Sequence, residues 1–137
     1  MAQDLPSLIP KIESAFKQEV PQYKLVRKEL SEKGNRKGKE SSHQWGTRTE
    51  GVSLTVFYGD SPEEAAQMIE NSMNHISVGP DKELKALGDE GYLWIAPKQG
   101  YGSIQFRKGK VYVTLSVTTV AMAERLAKRI ARLIPNE

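Results

Sequence analysis

The sequence predicts an α+β fold in which an antiparallel sheet of five to six strands packs with three helices, in the order α-βββ-α-βββ-α. Two segments, 52–58 and 111–117, alternate apolar and polar residues, which is typical of strands with one buried face. Lys108 and Gly109 form a tight turn between two strands, and strands joined by such turns are antiparallel neighbours. Three other segments repeat apolar residues at helical spacing, near 5–19, 62–76 and 119–134. A three-layer α/β/α sandwich is one arrangement that buries the apolar side of every helix.

Local signals set the ends of the predicted helices. Pro21 ends the first helix, because the residue before a proline is restricted to extended backbone. Residues 59–64 supply a capping residue, a proline in the first helical turn and two acids at the positive end of the helix dipole. The third helix is predicted to begin at a Thr118 or Thr119 cap and to end before Pro135.

The other segments are predicted from weaker patterns. Residues 31–42 contain no apolar side chain and are predicted to form a flexible loop or hairpin tip. A single helical turn is predicted over 81–87. The remaining strands are predicted at 23–30, 43–49, 92–96 and 103–108.

Composition bounds the class of protein. The 137 residues match the usual size of one domain, so 1–137 is predicted to fold as a single domain. The absence of cysteine excludes a disulfide framework, a zinc ribbon, an iron–sulfur cluster and a thiol nucleophile. No stretch is long and apolar enough for a membrane span. The first four residues, Met-Ala-Gln-Asp, do not resemble a signal peptide, which leaves a cytoplasmic protein and a mature envelope domain as alternatives.

No residue pattern indicates catalysis. His43 and His75 lie on different elements without a carboxylate at metal-ligand spacing, so both are predicted to be exposed or to cap an element. Asp89 and Glu90 are adjacent and diverge on extended backbone, which favours a turn over an acid/base pair. Neither a glycine-rich phosphate loop nor a nucleophile elbow is present. We therefore expect no catalytic residues, no metal, no cofactor and no enzyme activity.

Charge and aromatic patterning favour a binding surface. Residues 60–90 hold eight acids and two bases, whereas 98–132 hold eight bases and one acid. A basic surface would suit an anionic partner, of which nucleic acid is the less favoured, and the alternative is a set of solvated faces. Period-2 counting places one group of side chains on one sheet face: Tyr92, Trp94, Gln105, Arg107, Tyr112, Thr114 and Ser116.

Aromatic, cationic and hydroxyl side chains together suit stacking on sugars or bases, or a protein interface. The alternative is that a helix layer covers this face. The candidate binding residues are Tyr92, Trp94, Arg107, Lys108, Lys110 and Tyr112.

The runs Leu-Gly-Asp-Glu-Gly-Tyr-Leu-Trp at 87–94 and Phe-Arg-Lys-Gly-Lys-Val-Tyr-Val at 106–113 resemble small bacterial envelope domains of the PsbP-like kind. The resemblance covers about the last 90 residues. It implies a three-layer sandwich that is usually non-enzymatic and often a lipoprotein or accessory subunit. The resulting hypothesis is a non-enzymatic binding or accessory domain of a bacterial envelope, periplasmic or secreted. The alternative is a small-molecule pocket protein or a small enzyme with its site between sheet and helices.

Overall fold

The computed structural model of the chain describes residues 5–32, 34, 37–96 and 100–135. Within these residues the fold is α+β, as predicted, with three helices and one antiparallel sheet. The sheet has seven strands rather than five or six, because a two-residue strand forms where a helical turn was expected. The elements in chain order are α1 (Leu5–Glu19), β1 (Lys24–Leu30), β2 (Glu40–Gly46), β3 (Gly51–Tyr58), α2 (Pro62–His75), β4 (Lys82–Glu83), β5 (Glu90–Ala96), β6 (Tyr101–Lys108), β7 (Val111–Val117) and α3 (Val120–Leu133).

The sheet consists of two meanders that meet at its centre. The strand order is β1-β2-β3-β7-β6-β5-β4, and every neighbouring pair is antiparallel. Strands β3 and β7 join the meanders over a full ladder from Val52↔Val117 to Tyr58↔Val111. Each of these central strands leads directly into a helix, β3 into α2 and β7 into α3.

The helices lie on opposite faces of the sheet. Helices α1 and α3 pack in one large apolar cluster with residues such as Val113 and Leu115 of β7. Helix α2 packs on the other face, where Ile69 meets Phe57 and Tyr112 in a smaller cluster. We call the two sides the α1/α3 face and the α2 face. The arrangement is the three-layer α/β/α sandwich that the sequence allowed.

The helix boundaries agree with the predictions to within one residue at each end. Ser61 Oγ accepts a hydrogen bond from Glu64 N at the start of α2, and Thr119 Oγ1 accepts one from Met122 N at the start of α3. Ile76 and Ile134 have extended backbones and cap the ends of these helices instead of extending them. The capping signals therefore act locally, as hydrogen-bond acceptors for the first free amides.

Residues 81–87 do not form the helical turn that was predicted. Lys82 and Glu83 instead form β4, which pairs with β5. The carboxylate of Asp81 accepts a hydrogen bond from Ile95 N at 2.7 Å, and Asp81 N donates to Leu93 O at 2.8 Å. These two bonds hold the segment in extended register beside β5.

Strand β2 begins earlier than predicted, at Glu40 rather than His43. Its polar residues are ordered by pairing with strands on both sides, β1 and β3. Ser41 is buried, so the end of the predicted loop belongs to the sheet. The rest of that prediction includes residues 33, 35 and 36, which lie outside the described residues.

His43 is buried, so the prediction that it is exposed or capping was wrong. It lies on the α1/α3 face with 3% of its surface exposed, and its ring stacks on Trp45, which in turn stacks on Phe16 of α1. Its Nε2 is 2.9 Å from Ser41 Oγ, and burial lowers the pKa of the imidazole. Its position under α1 depends on tertiary packing that local spacing does not encode. His75 is exposed at the end of α2, as predicted.

Candidate binding face of the sheet

Helix α2 covers only part of its face of the sheet. It packs over the aromatic side chains of Phe57 and Tyr112. The rest of this face carries polar side chains, most of them small, that are exposed or half-buried. We call this surface the open polar face. It comprises Arg27, Glu29, Ser42, Gln44, Ser53, Thr55, Ser103, Thr114 and Ser116.

The strand register arranges these side chains in two parallel rows across the sheet. In the first row Ser53 lies opposite both Gln44 and Ser116, and Ser116 lies opposite Ser103. The second row runs from Glu29 through Ser42, Thr55 and Thr114. Ser103 Oγ and Ser116 Oγ are 3.2 Å apart and share a hydrogen bond. Most side chains in the two rows carry hydroxyl or amide groups. Such groups both donate and accept hydrogen bonds.

Two shallow grooves run over the open polar face. One has a volume of about 450 Å³ and is lined by residues that include Gln44, Ser53, Ser116 and Tyr101. The other, of about 280 Å³, is lined by residues that include Arg27 and also contains Gln44 and Ser53. The grooves therefore adjoin at Gln44 and Ser53. Tyr101 is 50% exposed at the rim of the larger groove.

The candidate aromatic residues differ in whether helix α2 covers them. Tyr112 is buried beneath α2, and its hydroxyl donates to Gln105 Oε1 at 2.9 Å. Tyr92 is half-buried and donates to Glu90 Oε1 at 3.0 Å, and its burial together with Glu90 raises the pKa of the phenol. Trp94 lies at the rim, where its indole N–H donates to Val78 O at 3.0 Å. A helix thus covers one part of the predicted face and leaves another part open.

Arg107 is engaged by acids of its own chain. Its side chain is 17% exposed, with Nε 3.1 Å from Glu90 Oε2 and Nη1 3.2 Å from Asp89 Oδ2. The same Asp89 oxygen accepts from Gly109 N at 2.7 Å and closes the hairpin turn between β6 and β7. Asp89 and Glu90 therefore have the structural role that their spacing predicted, and they compensate the charge of Arg107.

The three bases of the β6–β7 hairpin do not form one surface. Lys108 points to the α1/α3 face, opposite to Arg107, because neighbouring side chains on a strand alternate. Its Nζ donates to Ala131 O near the end of α3 at 2.7 Å. Lys110 lies in the turn just before β7, and its carbonyl accepts from Gly59 N. Arg107 and Lys108 therefore lie on opposite faces of the sheet.

A smaller basic cluster lies near the end of α3. Lys108, Lys128 and Arg132 line a cavity of about 400 Å³ together with Gly88 and Asp89. Two other α3 bases point toward α1: Arg125 pairs with Glu19 at 3.2 Å, and Arg129 donates to Gln18. The bases of α3 are thus divided between a cavity and the contact with α1.

The polar residues of β2 and β3 were not among the binding candidates predicted from the sequence. Ser42, Gln44, Ser53 and Thr55 alternate with buried residues, and this alternation is visible in the sequence. What it could not reveal is which polar residues lie beyond the reach of α2. In the described part of the chain, no group of three or more His, Cys, Asp or Glu side chains could hold a metal ion. No helix there has the length and apolar character to cross a membrane.

Comparison with known proteins identifies the fold but not the family. No family model matches the sequence, and no curated protein matches it. The crystal structure of a GTP binding regulator from Thermotoga maritima is similar, with a TM-score of 0.57 and 15% sequence identity. The match covers 89% of this chain and 85% of that protein. At this identity the similarity establishes a shared fold alone.

Proposed function

We propose that this chain is a non-enzymatic binding domain whose ligand lies across the open polar face. The observation that carries the proposal is the uncovered half of the α2 face, where two rows of hydroxyl and amide side chains line adjoining grooves. An antiparallel sheet can leave part of one face open to solvent. Here the covered part supplies the packing, and the uncovered part is available to a partner.

The ligand we propose is polar, uncharged and rich in hydroxyl groups, as an oligosaccharide is. Ser53, Ser116 and Gln44 offer donors and acceptors without net charge, and Tyr101 offers an exposed ring at the rim. The charges along the two grooves balance, because Arg27 pairs with Glu29 at 2.8 Å and the larger groove holds one further base and one further acid, Arg48 and Glu50. An uncharged ligand therefore fits this face better than an anionic one.

The alternative of a pocket or active site between the sheet and its helices has less support. A continuous cluster of buried apolar side chains joins α1 and α3 to the sheet. Both grooves open onto the other face of the sheet, and the cluster contributes only a few residues such as Val52 and Leu54 to their lining. The adjacent acids Asp89 and Glu90 are held by Arg107 in a turn, which does not suit a pair working on a substrate.

The bacterial envelope is the location we propose, on the basis of the PsbP-like resemblance. A sugar-binding or accessory domain would meet polyhydroxylated polymers there. Fractionation of the source cells with an antibody against the chain tests this location. Recovery in the cytoplasm alone would contradict it and would leave the binding proposal in place.

The proposed ligand class is tested by screening the labelled protein on an oligosaccharide array. Ser53→Arg fills the junction of the two grooves without touching the core, because Ser53 is exposed. Ser14→Arg makes the same chemical change at an exposed position of α1, on the other side of the sheet, and serves as the matched control. We expect binding to be retained in the control and lost in Ser53→Arg.

Titration with GTP forms a second arm of the same experiment, because the structural neighbour is titled a GTP binding regulator. We expect no GTP binding at the open polar face, where Arg27 is already paired with Glu29 and the larger groove carries Glu50 as well as Arg48. GTP binding that Ser53→Arg abolishes would replace the sugar class with a nucleotide. Binding of any ligand that survives Ser53→Arg would contradict the proposed site.

A further inference from the structure

The two edges of the sheet differ in how they are protected. Strand β4 is only two residues long, which is a common way to blunt an edge. Strand β1 has seven residues, and every one of them is exposed. Within the described residues no strand pairs with its outer side. Leu25, Val26 and Leu30 are 42%, 70% and 43% exposed on this edge.

The backbone of β1 presents free hydrogen-bonding groups at its centre. Ser31 N donates to Glu40 O at 2.8 Å, so Ser31 is bonded to the β2 side. Bonding alternates along an antiparallel strand, so Glu29 and Arg27 also direct their amides toward β2. Lys28 and Leu30 then direct their N–H and C=O groups outward. A bulge between Leu25 and Arg27 ends the regular part of the edge.

We propose that a second copy of this chain pairs with β1 in antiparallel register, with Lys28 on the two-fold axis. Lys28 of each copy would exchange two hydrogen bonds with Lys28 of the other, because its outward groups have the required direction. The strands would join two seven-stranded sheets into one. The pairing rests on β1 alone and does not depend on the proposed ligand.

This register brings opposite charges together across the axis. With Lys28 on the axis, Arg27 of each copy lies opposite Glu29 of the other, and this favourable pair occurs twice. The Lys28 ammonium groups on the axis are each compensated within their own copy, because Lys28 Nζ is 2.6 Å from Glu13 Oε1.

Symmetry also gives the paired sheets a defined arrangement. A two-fold axis perpendicular to the sheet places the α2 faces of both copies on the same side. The two open polar faces would then be continuous across the axis, since Arg27 and Glu29 belong to both the edge and the face. The dimer would double the length of polar surface between the two α2 helices.

The absence of cysteine allows a direct test of the register by cross-linking. Lys28→Cys places two thiols on the axis, within the Cα separation of about 5.5 Å that a disulfide spans. Lys24→Cys lies on the same strand and serves as the control, because its two copies would be about 26 Å apart at ~3.3 Å per residue. We expect mild oxidation to give a covalent dimer for Lys28→Cys and none for Lys24→Cys. Equal cross-linking of both variants, or of neither, would overturn the register.

The same contact is tested by reversing the charges of Arg27 and Glu29. Sedimentation velocity of the full chain then measures dimer formation. Arg27→Glu places acids opposite each other twice and is expected to raise the dimer dissociation constant about tenfold or more. Adding Glu29→Arg in the same chain restores opposite charges and is expected to restore the dimer. Circular dichroism checks that each variant is folded. A wild-type chain that stays monomeric at all concentrations, or a double variant that stays monomeric, would overturn the proposal without affecting the Ser53→Arg result.

Discussion

The two faces of the sheet come from the same strands but differ in what covers them. Strand β7 shows this contrast within seven residues: Val113 and Leu115 are fully buried on the α1/α3 face, whereas Ser116 is exposed on the α2 face. Neighbouring strands are about 4.8 Å apart, so seven strands span roughly 30 Å, while one helix is only about 10 Å across. A single helix on the α2 face therefore covers two or three strands. The polar side chains lie where that cover ends.

The contrast predicts that substitutions at two neighbouring positions lower the free energy of unfolding by very different amounts. Leu115→Ala removes apolar volume from the larger cluster, and we expect it to lower the free energy of unfolding by about 2–5 kcal/mol. Ser116→Ala removes one exposed hydroxyl, and we expect a change within about 0.5 kcal/mol. Urea unfolding of both variants measures the difference. A cost for Ser116→Ala comparable to that of Leu115→Ala would mean that the open polar face is part of the packing.

The α1/α3 face also contains a polar residue, and this predicts a pH dependence. Burial lowers the pKa of His43 below its ordinary value of 6.5, so the folded chain favours the neutral ring. The unfolded chain binds a proton more readily as pH falls below about 6.5, so the stabilising effect is complete above that pH and is lost as pH falls toward the folded pKa. The nearby charges of Glu13 and Lys28 act in opposite directions on this pKa and are smaller than the effect of burial.

Urea unfolding between pH 8 and 5 tests this dependence with His43→Gln as the comparison. The variant has no imidazole to protonate, so its stability should fall less between pH 7 and 5 than that of the natural chain. The two curves should run parallel above pH 7. Parallel curves over the whole range would show that His43 does not link protonation to folding.

The comparison of faces also explains how far the sequence could predict the fold. The capping residues Ser61 and Thr119 act on amides in the next turn, so the starts of α2 and α3 were predictable within a residue. Alternation correctly assigned Tyr112 and Ser116 to one face. It could not assign their different environments, because the position of α2 over Tyr112 and not over Ser116 is a tertiary property.

The wrong predictions share the same physical origin. His43 is buried because α1 lies over β2, where Phe16 stacks on Trp45, and no local pattern connects residues so distant in sequence. The two-residue strand β4 forms because the Asp81 side chain accepts a hydrogen bond from Ile95 N, 14 positions further along the chain. Both features depend on which elements become neighbours after folding.

The smallest expected effect is a difference in polyanion binding between variants of two arginines that the sequence pattern does not distinguish. Arg107 lies on the α2 face between Asp89 and Glu90, whereas Arg132 is exposed at the cavity near the end of α3 with Lys108 and Lys128.

Arg107→Gln and Arg132→Gln each remove one positive charge, so they change the net charge equally. A base already compensated by acids releases few counterions from a polyanion, whereas an exposed base with no acid partner among the described residues contributes about one contact to the salt dependence. In titrations of duplex DNA or anionic vesicles at several low salt concentrations, we expect Arg132→Gln to weaken binding and reduce its salt slope, and Arg107→Gln to leave both unchanged. Equal weakening by the two variants would restore Arg107 to a basic binding surface and would mean that its acids release it when a polyanion approaches.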